Sequence, residues 1–144
     1  MRKTLQSWEL RESRTNFEIV GESHYQNNLS RVAGPKTAEG KKHDTIALLV
    51  PESKNPHDSN AVGITIGGVK VGYLARDHAI EYRKYLGLKI GRCPARIVGG
   101  WKYEDDEEED ESQNEGSYGV KLKLYWPPML KSDHVTKSNR KVRK

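Results

Sequence analysis

Residues 48–76 read LLVPESKNPHDSNAVGITIGGVKVGYLAR, and this stretch decides the fold. Val62, Ile64 and Ile66 alternate with Ala61, Gly63 and Thr65, which puts an apolar side chain on one face at every second position. Gly67-Gly68 supplies the positive φ angles that a two-residue hairpin demands. Val69, Val71 and Tyr73 alternate in the same way on the return strand, so a β-hairpin is expected here.

Immediately upstream lies Asn55-Pro56-His57-Asp58-Ser59-Asn60. Pro56 fixes its own φ and biases Asn55 towards an extended conformation. Asp58, Ser59 and Asn60 are residue types that bond back to nearby backbone amides, so the segment reads as a rigid polar turn. Polar side chains mounted stiffly at a strand end suit a binding site. They suit the plain lead-in turn of a strand equally well.

Working outward, Asp77 to Leu86 has an acid in its first turn and Gly87 just past its end, which predicts a helix burying Ala79, Tyr82 and Leu86. Residues 94–101 (PARIVGGW) predict a strand with Ala95, Ile97 and Trp101 in alternating register and a bulge at Gly99-Gly100. Tyr118 to Trp126 predicts another, with Val120, Leu122, Leu124 and Trp126 on one face. Between them, residues 104–115 carry nine acids and no base, a run expected to form a disordered hairpin loop.

Upstream, Thr45 to Val50 is apolar on both faces and reads as a central, covered strand, preceded by a polar loop over 36–44. Ser23 to Ala33 reads as a helix or an irregular one-turn loop, with Ser23 as N-cap and Gly34-Pro35 as the stop. Phe17 to Gly21 is the first expected strand. Residues 1–16 are polar and basic with a weak helical stripe through Leu5 and Trp8, and are expected to be an extension. Pro127-Pro128 ends the sheet, and the Lys- and Arg-rich remainder to Lys144 is expected to be a disordered tail.

The expected fold class is therefore mostly β with minor α: a small, OB-like antiparallel β-barrel of about six strands with one or two helices, spanning 17–126. Parallel βαβ winding would require helices between most strands, and the sequence lacks them.

The chain has 144 residues, 34% hydrophobic and 31% charged, with a mean hydropathy of −0.88, so one modest core with unpacked tails is all it can support. Its formal charge of +5 hides an asymmetry: outside the acidic run, 25 bases face 11 acids. A surface that basic favours a polyanionic partner, most simply nucleic acid. A single cysteine, Cys93, excludes an internal disulfide and any paired-cysteine metal knuckle. No apolar run approaches a membrane span and no signal-peptide core is apparent, so a cytoplasmic protein with no membrane partner is expected.

Four segments taken together resemble the HIRAN domain: Phe17 to Tyr25 (FEIVGESHY), Leu49-Val50-Pro51-Glu52, Asn55 to Val62 (NPHDSNAV), and Val71-Gly72-Tyr73-Leu74. NPxDxNAV followed by VGYL is the specific part. HIRAN domains occur at the N-terminus of certain SWI/SNF-type helicases and as stand-alone bacterial proteins, and this chain resembles the latter. The resemblance implies an OB-like barrel that binds single-stranded DNA, in helicase-linked members at a free 3′ end, with a role in DNA repair or replication-associated processing. It places the base-stacking aromatic on His57, the acid contacting the 3′-hydroxyl on Asp58, and the basic-aromatic-aromatic segment on Ser23, His24 and Tyr25. Ser23 lacks the guanidinium of the helicase-linked pattern, and both histidines are smaller platforms than tyrosine. Arg76, just past VGYL, is the nearest candidate for a compensating phosphate contact. With Asn55, Asn60 and Trp101, the candidate nucleic-acid-binding set is His24, Tyr25, Asn55, His57, Asp58, Asn60, Arg76 and Trp101.

Two other function classes are weaker. His24, His43, Asp44, His57 and Asp58 can be assembled on paper into a hydrolytic or metal site, but no HExxH, paired-cysteine, DxD or P-loop pattern accompanies them. Neither catalysis nor a cofactor or metal is expected. A protein-interaction adaptor, docking through the acidic loop and the basic tail, is the alternative to a DNA-end binder. A helicase or nuclease is the partner class that end binding suggests.

Overall fold

A computed structural model describes residues 6–102 and 116–131. The expected hairpin is present as β4 (Val62–Ile66) and β5 (Val69–Tyr73), joined by Gly67 at φ 60° and Gly68 at φ 81°. Around it the chain adds β1 (Trp8–Glu9), β2 (Phe17–Glu18), β3 (Lys41–Pro51), β6 (Gly91–Gly99) and β7 (Tyr118–Leu122). The helices are α1 (Gln26–Ala33) and α2 (Arg76–Leu86). All seven strands join one sheet, in the order β2-β7-β6-β3-β4-β5, with β1 paired in parallel to β6. The other pairings are antiparallel.

This sheet curls on itself. Val20, just past β2 at one edge, bridges Tyr73 of β5 at the other, each donating its N–H to the other's carbonyl at 2.8 Å. Gly72 permits that approach, because a Cβ there would lie 2.8 Å from both Ile19 Cδ1 and the Val20 carbonyl. α1 is anchored to both sides: Asn28 donates to the Lys70 carbonyl of β5, and Gln26 exchanges hydrogen bonds with the Tyr118 backbone of β7. The result is a curled antiparallel half-barrel, mostly β, as expected.

The core follows the expected alternations. Ile64 and Ile66, Ala95 and Ile97, and Val120, Leu122 and Leu124 all point inward, and α2 buries Ala79, Tyr82 and Leu86.

Several expectations are corrected. The segment before residue 17 contains a strand and no helix in its described part: Trp8 and Glu9 lie beside Gly91 and Arg92, and Leu10 is fully buried. Leu130, expected in the tail, bridges Leu10 and joins the same core, so packing reaches past both limits of the 17–126 span. Lys41 to Asp44, read as loop, are strand, because the long β6 offers partners as far as Gly99. β3 is not covered on both faces: Ala47 and Leu49 are buried, while Ile46 is 53% exposed. Gly99 and Gly100 end β6 with φ of 80° and 65° and make no bulge within it, so Trp101 leaves the alternation and pairs with Thr37. Ser23 is not the N-cap of α1; it sits in a 3₁₀ turn, Glu22–His24, and Tyr25 holds the cap position. The acidic run at 104–115 and most of the basic tail lie outside the described residues.

If the first strand belongs to the core, Leu10→Ala costs about 2–5 kcal/mol of stability, as other buried leucines do. Ile46→Ala, at an exposed position, stays within about 0.5 kcal/mol of wild type. Urea denaturation checks both. A Leu10→Ala protein as stable as wild type would show that the segment is peripheral.

Candidate nucleic-acid interface

The polar turn is the connection between β3 and β4, closed at its base by the Glu52 N–H donating to the Ala61 carbonyl at 2.8 Å. Asn55 organises it. Its Oδ1 accepts the backbone N–H groups of His57 (2.8 Å) and Asp58 (3.2 Å), and its Nδ2 donates to Glu52 Oε1 at 3.0 Å. Asp58 Oδ1 accepts the Asn60 N–H at 2.9 Å, and Arg83 of α2 donates to the Ser59 carbonyl at 2.8 Å. The turn is therefore rigid, as its residue types predict, but Asn55 does most of the bonding.

Below it sits a charged group that alternation alone hides. A register shift between Ile64 and Thr65 leaves Val71 without a partner: Thr65 faces Lys70, while Ile64 faces Gly72 and Gly63 faces Tyr73. One extra residue on a strand reverses the facing of everything after it. Tyr73 thus leaves the face of Val71 and joins Lys70 on the outer side. There Lys70 Nζ donates to the Tyr73 hydroxyl at 2.8 Å and lies 4.6 Å from the ring centroid. The hydroxyl donates to Glu52 Oε1 at 3.1 Å, and Lys70 pairs with Glu52 Oε2. Partial burial on its own pushes the Glu52 carboxyl up, but the Lys70 ammonium, the Asn55 amide and the Tyr73 hydroxyl outweigh it and hold the carboxyl below its ordinary value. Burial pulls the Lys70 ammonium down, and Glu52 and Tyr73 outweigh that and raise it.

The Val20–Tyr73 bridge brings in the third segment. Gly21, at φ 82°, turns the chain into the 3₁₀ turn that carries His24, with Tyr25 next in line. The Tyr25 ring lies 6.4 Å from that of Tyr73, and burial followed by the Tyr73 hydroxyl raises the Tyr25 phenol. His24, Tyr25, Asn55, His57, Asp58 and Arg76 line one open cleft of about 670 Å³. Val20, Ala61, Tyr73 and Leu74 complete its wall. His24, His57 and Arg76 are exposed; Tyr25, Asn55 and Asp58 are partly buried.

Six of the eight candidate residues thus come together. Asn60 is exposed beside the cleft but does not line it, and Trp101 lies elsewhere, partly buried against Thr37 and Gly116. Tyr73, which the alternation puts on the face of Val69 and Val71, is cleft wall. Glu52 closes one of the segments that carry the resemblance but was given no role there, and Lys70 belonged to none of them. Among the described residues, no group of three or more His, Cys, Asp or Glu is arranged to hold a metal ion, and no helix is long and apolar enough to cross a membrane.

Asn55→Ala leaves two turn amides without their acceptor and is expected to cost about 1–3 kcal/mol. Asn60→Ala, whose side chain makes no hydrogen bond among the described residues, is near neutral by the same urea assay. Glu52 also predicts a pH signature. Its folded carboxyl titrates below the ordinary value of 4.5, so its stabilising contribution is complete above that value and is lost as pH falls through the lower folded one. The stability gap between wild type and Glu52→Gln should therefore narrow on acidification below pH 4.5. A gap that stays constant down to pH 3 would exclude this role.

No curated protein and no solved structure matches the chain significantly. The family model of the HIRAN domain matches residues 13–106, which contain all three segments of the cleft. With that match over most of its length, the chain belongs to the HIRAN domain family, a family of DNA-binding modules.

Proposed function

We propose that this protein is a non-catalytic, cytoplasmic module that binds single-stranded DNA at a free 3′ end and serves DNA repair or replication-associated processing. The observation that carries this reading is the convergence of His24, Tyr25, His57, Asp58 and Arg76, from three separate segments, on one open cleft.

Each has a role that its chemistry fits. An aromatic face stacks on any base, at about 1–3 kcal/mol per base, so the exposed His57 and the flanking Tyr25 give affinity without sequence preference. Asp58 spends Oδ1 on the turn, and Oδ2 remains to accept a hydrogen bond from a terminal hydroxyl. The same charge repels a terminal phosphate. Arg76, exposed at the first position of α2, suits a backbone phosphate. Other Lys and Arg side chains add the salt-dependent part of the affinity. A helicase or nuclease acting on the same strand is the natural partner.

Fluorescence anisotropy with a short 5′-labelled strand, ending in either a 3′-hydroxyl or a 3′-phosphate, tests this. The hydroxyl-ended strand is expected to bind more tightly, and a matched duplex more weakly. His57→Ala should lose about 1–3 kcal/mol of binding, and Asp58→Ala should lose the preference between ends. Weak binding that ignores both the end and the mutations would leave only the positive charge of the chain at work.

A further inference from the structure

The turn that carries His57 lines two clefts. Besides the one just described, a second of about 650 Å³ opens between the turn and the end of β3. Pro51, Ser53, Lys54 and Pro56 line it, and it shares Asn55, His57 and Tyr73 with the first. Exposed His57 is thus common to two spaces of nearly equal volume.

Charge decides what the second cleft can accept. It contains one acid, Glu52, which would ordinarily repel a nucleic acid. That carboxylate is already occupied: Oε1 accepts from Asn55 and Tyr73, and Oε2 pairs with the Lys70 ammonium. The remaining charged side chain of the lining is Lys54, which is exposed at the rim. Pro51 and Pro56 offer apolar ring faces, and Ser53 a hydroxyl. Apolar faces for a base or sugar, with a cation at the mouth for a phosphate, suit a nucleotide.

We infer that the second cleft holds the nucleotide next to the strand end, so that the chain of the DNA passes His57 with Lys54 against its phosphate. This rests on the end-binding reading of the first cleft and extends it: the footprint is two compartments, and His57 is common to both. Specificity for the end belongs to the first compartment, and length-dependent affinity to the second.

Competition by thymidine and by oligothymidylates of two, three and six nucleotides, all with free 3′-hydroxyls, against a labelled ten-nucleotide strand tests it. Ser53→Trp fills the second cleft and Lys54→Glu reverses its charge; both positions are exposed in the turn, and thermal melts verify the fold. Lys84→Glu, exposed on α2, controls for net charge. For wild type, affinity should rise most steeply from one nucleotide to two or three. Both cleft variants should lose about tenfold on the longer strands, as expected for one lost contact of about 1.4 kcal/mol, and keep wild-type affinity for thymidine and the 3′-hydroxyl preference. Lys54→Glu should also flatten the salt dependence by about one phosphate's worth, more than Lys84→Glu does. If the variants bind every length as wild type does while the 3′-hydroxyl preference persists, the second compartment is overturned and the end reading stands. If wild type shows no end preference, the end reading falls and this inference with it.

Discussion

Two backbone hydrogen bonds between Val20 and Tyr73 hold the two edges of the sheet together, and the rest of the arrangement depends on that seam. Without it the segment after β2 would have no reason to lie beside β5. With it, Gly21 can turn the chain over the edge, and His24 and Tyr25 arrive opposite a turn more than thirty residues away in sequence. The same contact requires Gly72, since any Cβ would press on Ile19 and on the Val20 carbonyl. Curling the sheet and assembling the cleft thus go together, through the two backbone hydrogen bonds across its edges.

The second organising feature is electrostatic. Glu52 directly follows β3, Lys70 lies in β5, and Asn55 belongs to the turn; the carboxylate ties the three together. Gly63 gives it room, because a Cβ there would collide with the Glu52 carboxylate. Desolvation offsets part of the attraction in a partly buried ion pair of this kind, so its net stabilisation is modest. Its contribution is geometric: it fixes the base of the turn, and so the direction in which His57 and Asp58 face.

Much of this was legible in the sequence. Strict alternation in β4 and the Gly67-Gly68 pair specify the hairpin, and the spacing of Ala79, Tyr82 and Leu86 specifies the inner face of α2. The rigid NPHD turn follows from its residue types, and six of the candidate residues read from the sequence, Arg76 by its place just past the family pattern, line the cleft. What stayed hidden has physical causes. The unpartnered Val71 changes no hydrophobic pattern, so the alternation puts Tyr73 on the face of Val71 although the slip turns it outward. Lys41 to Asp44 look like loop because their polar side chains lie on a solvated edge, while long-range pairing with β6 makes them strand. Trp8 to Leu10 is too short to declare a strand locally; only Gly91 and Arg92, some eighty residues on, give it a partner. Trp101 falls out of register because two glycines of positive φ intervene.

The bridge between Leu10 and Leu130 has a mechanical consequence. Glu9 and Lys131, the next residues outward on each segment, are also side by side, joined through their charged groups at 3.4 Å. The first and last segments of the described fold are therefore fastened to each other as well as to the sheet. Because Trp8 and Leu10 also donate to the Ile90 and Arg92 carbonyls, a force that pulls this segment away has to break those bonds together with the bridge to Leu130.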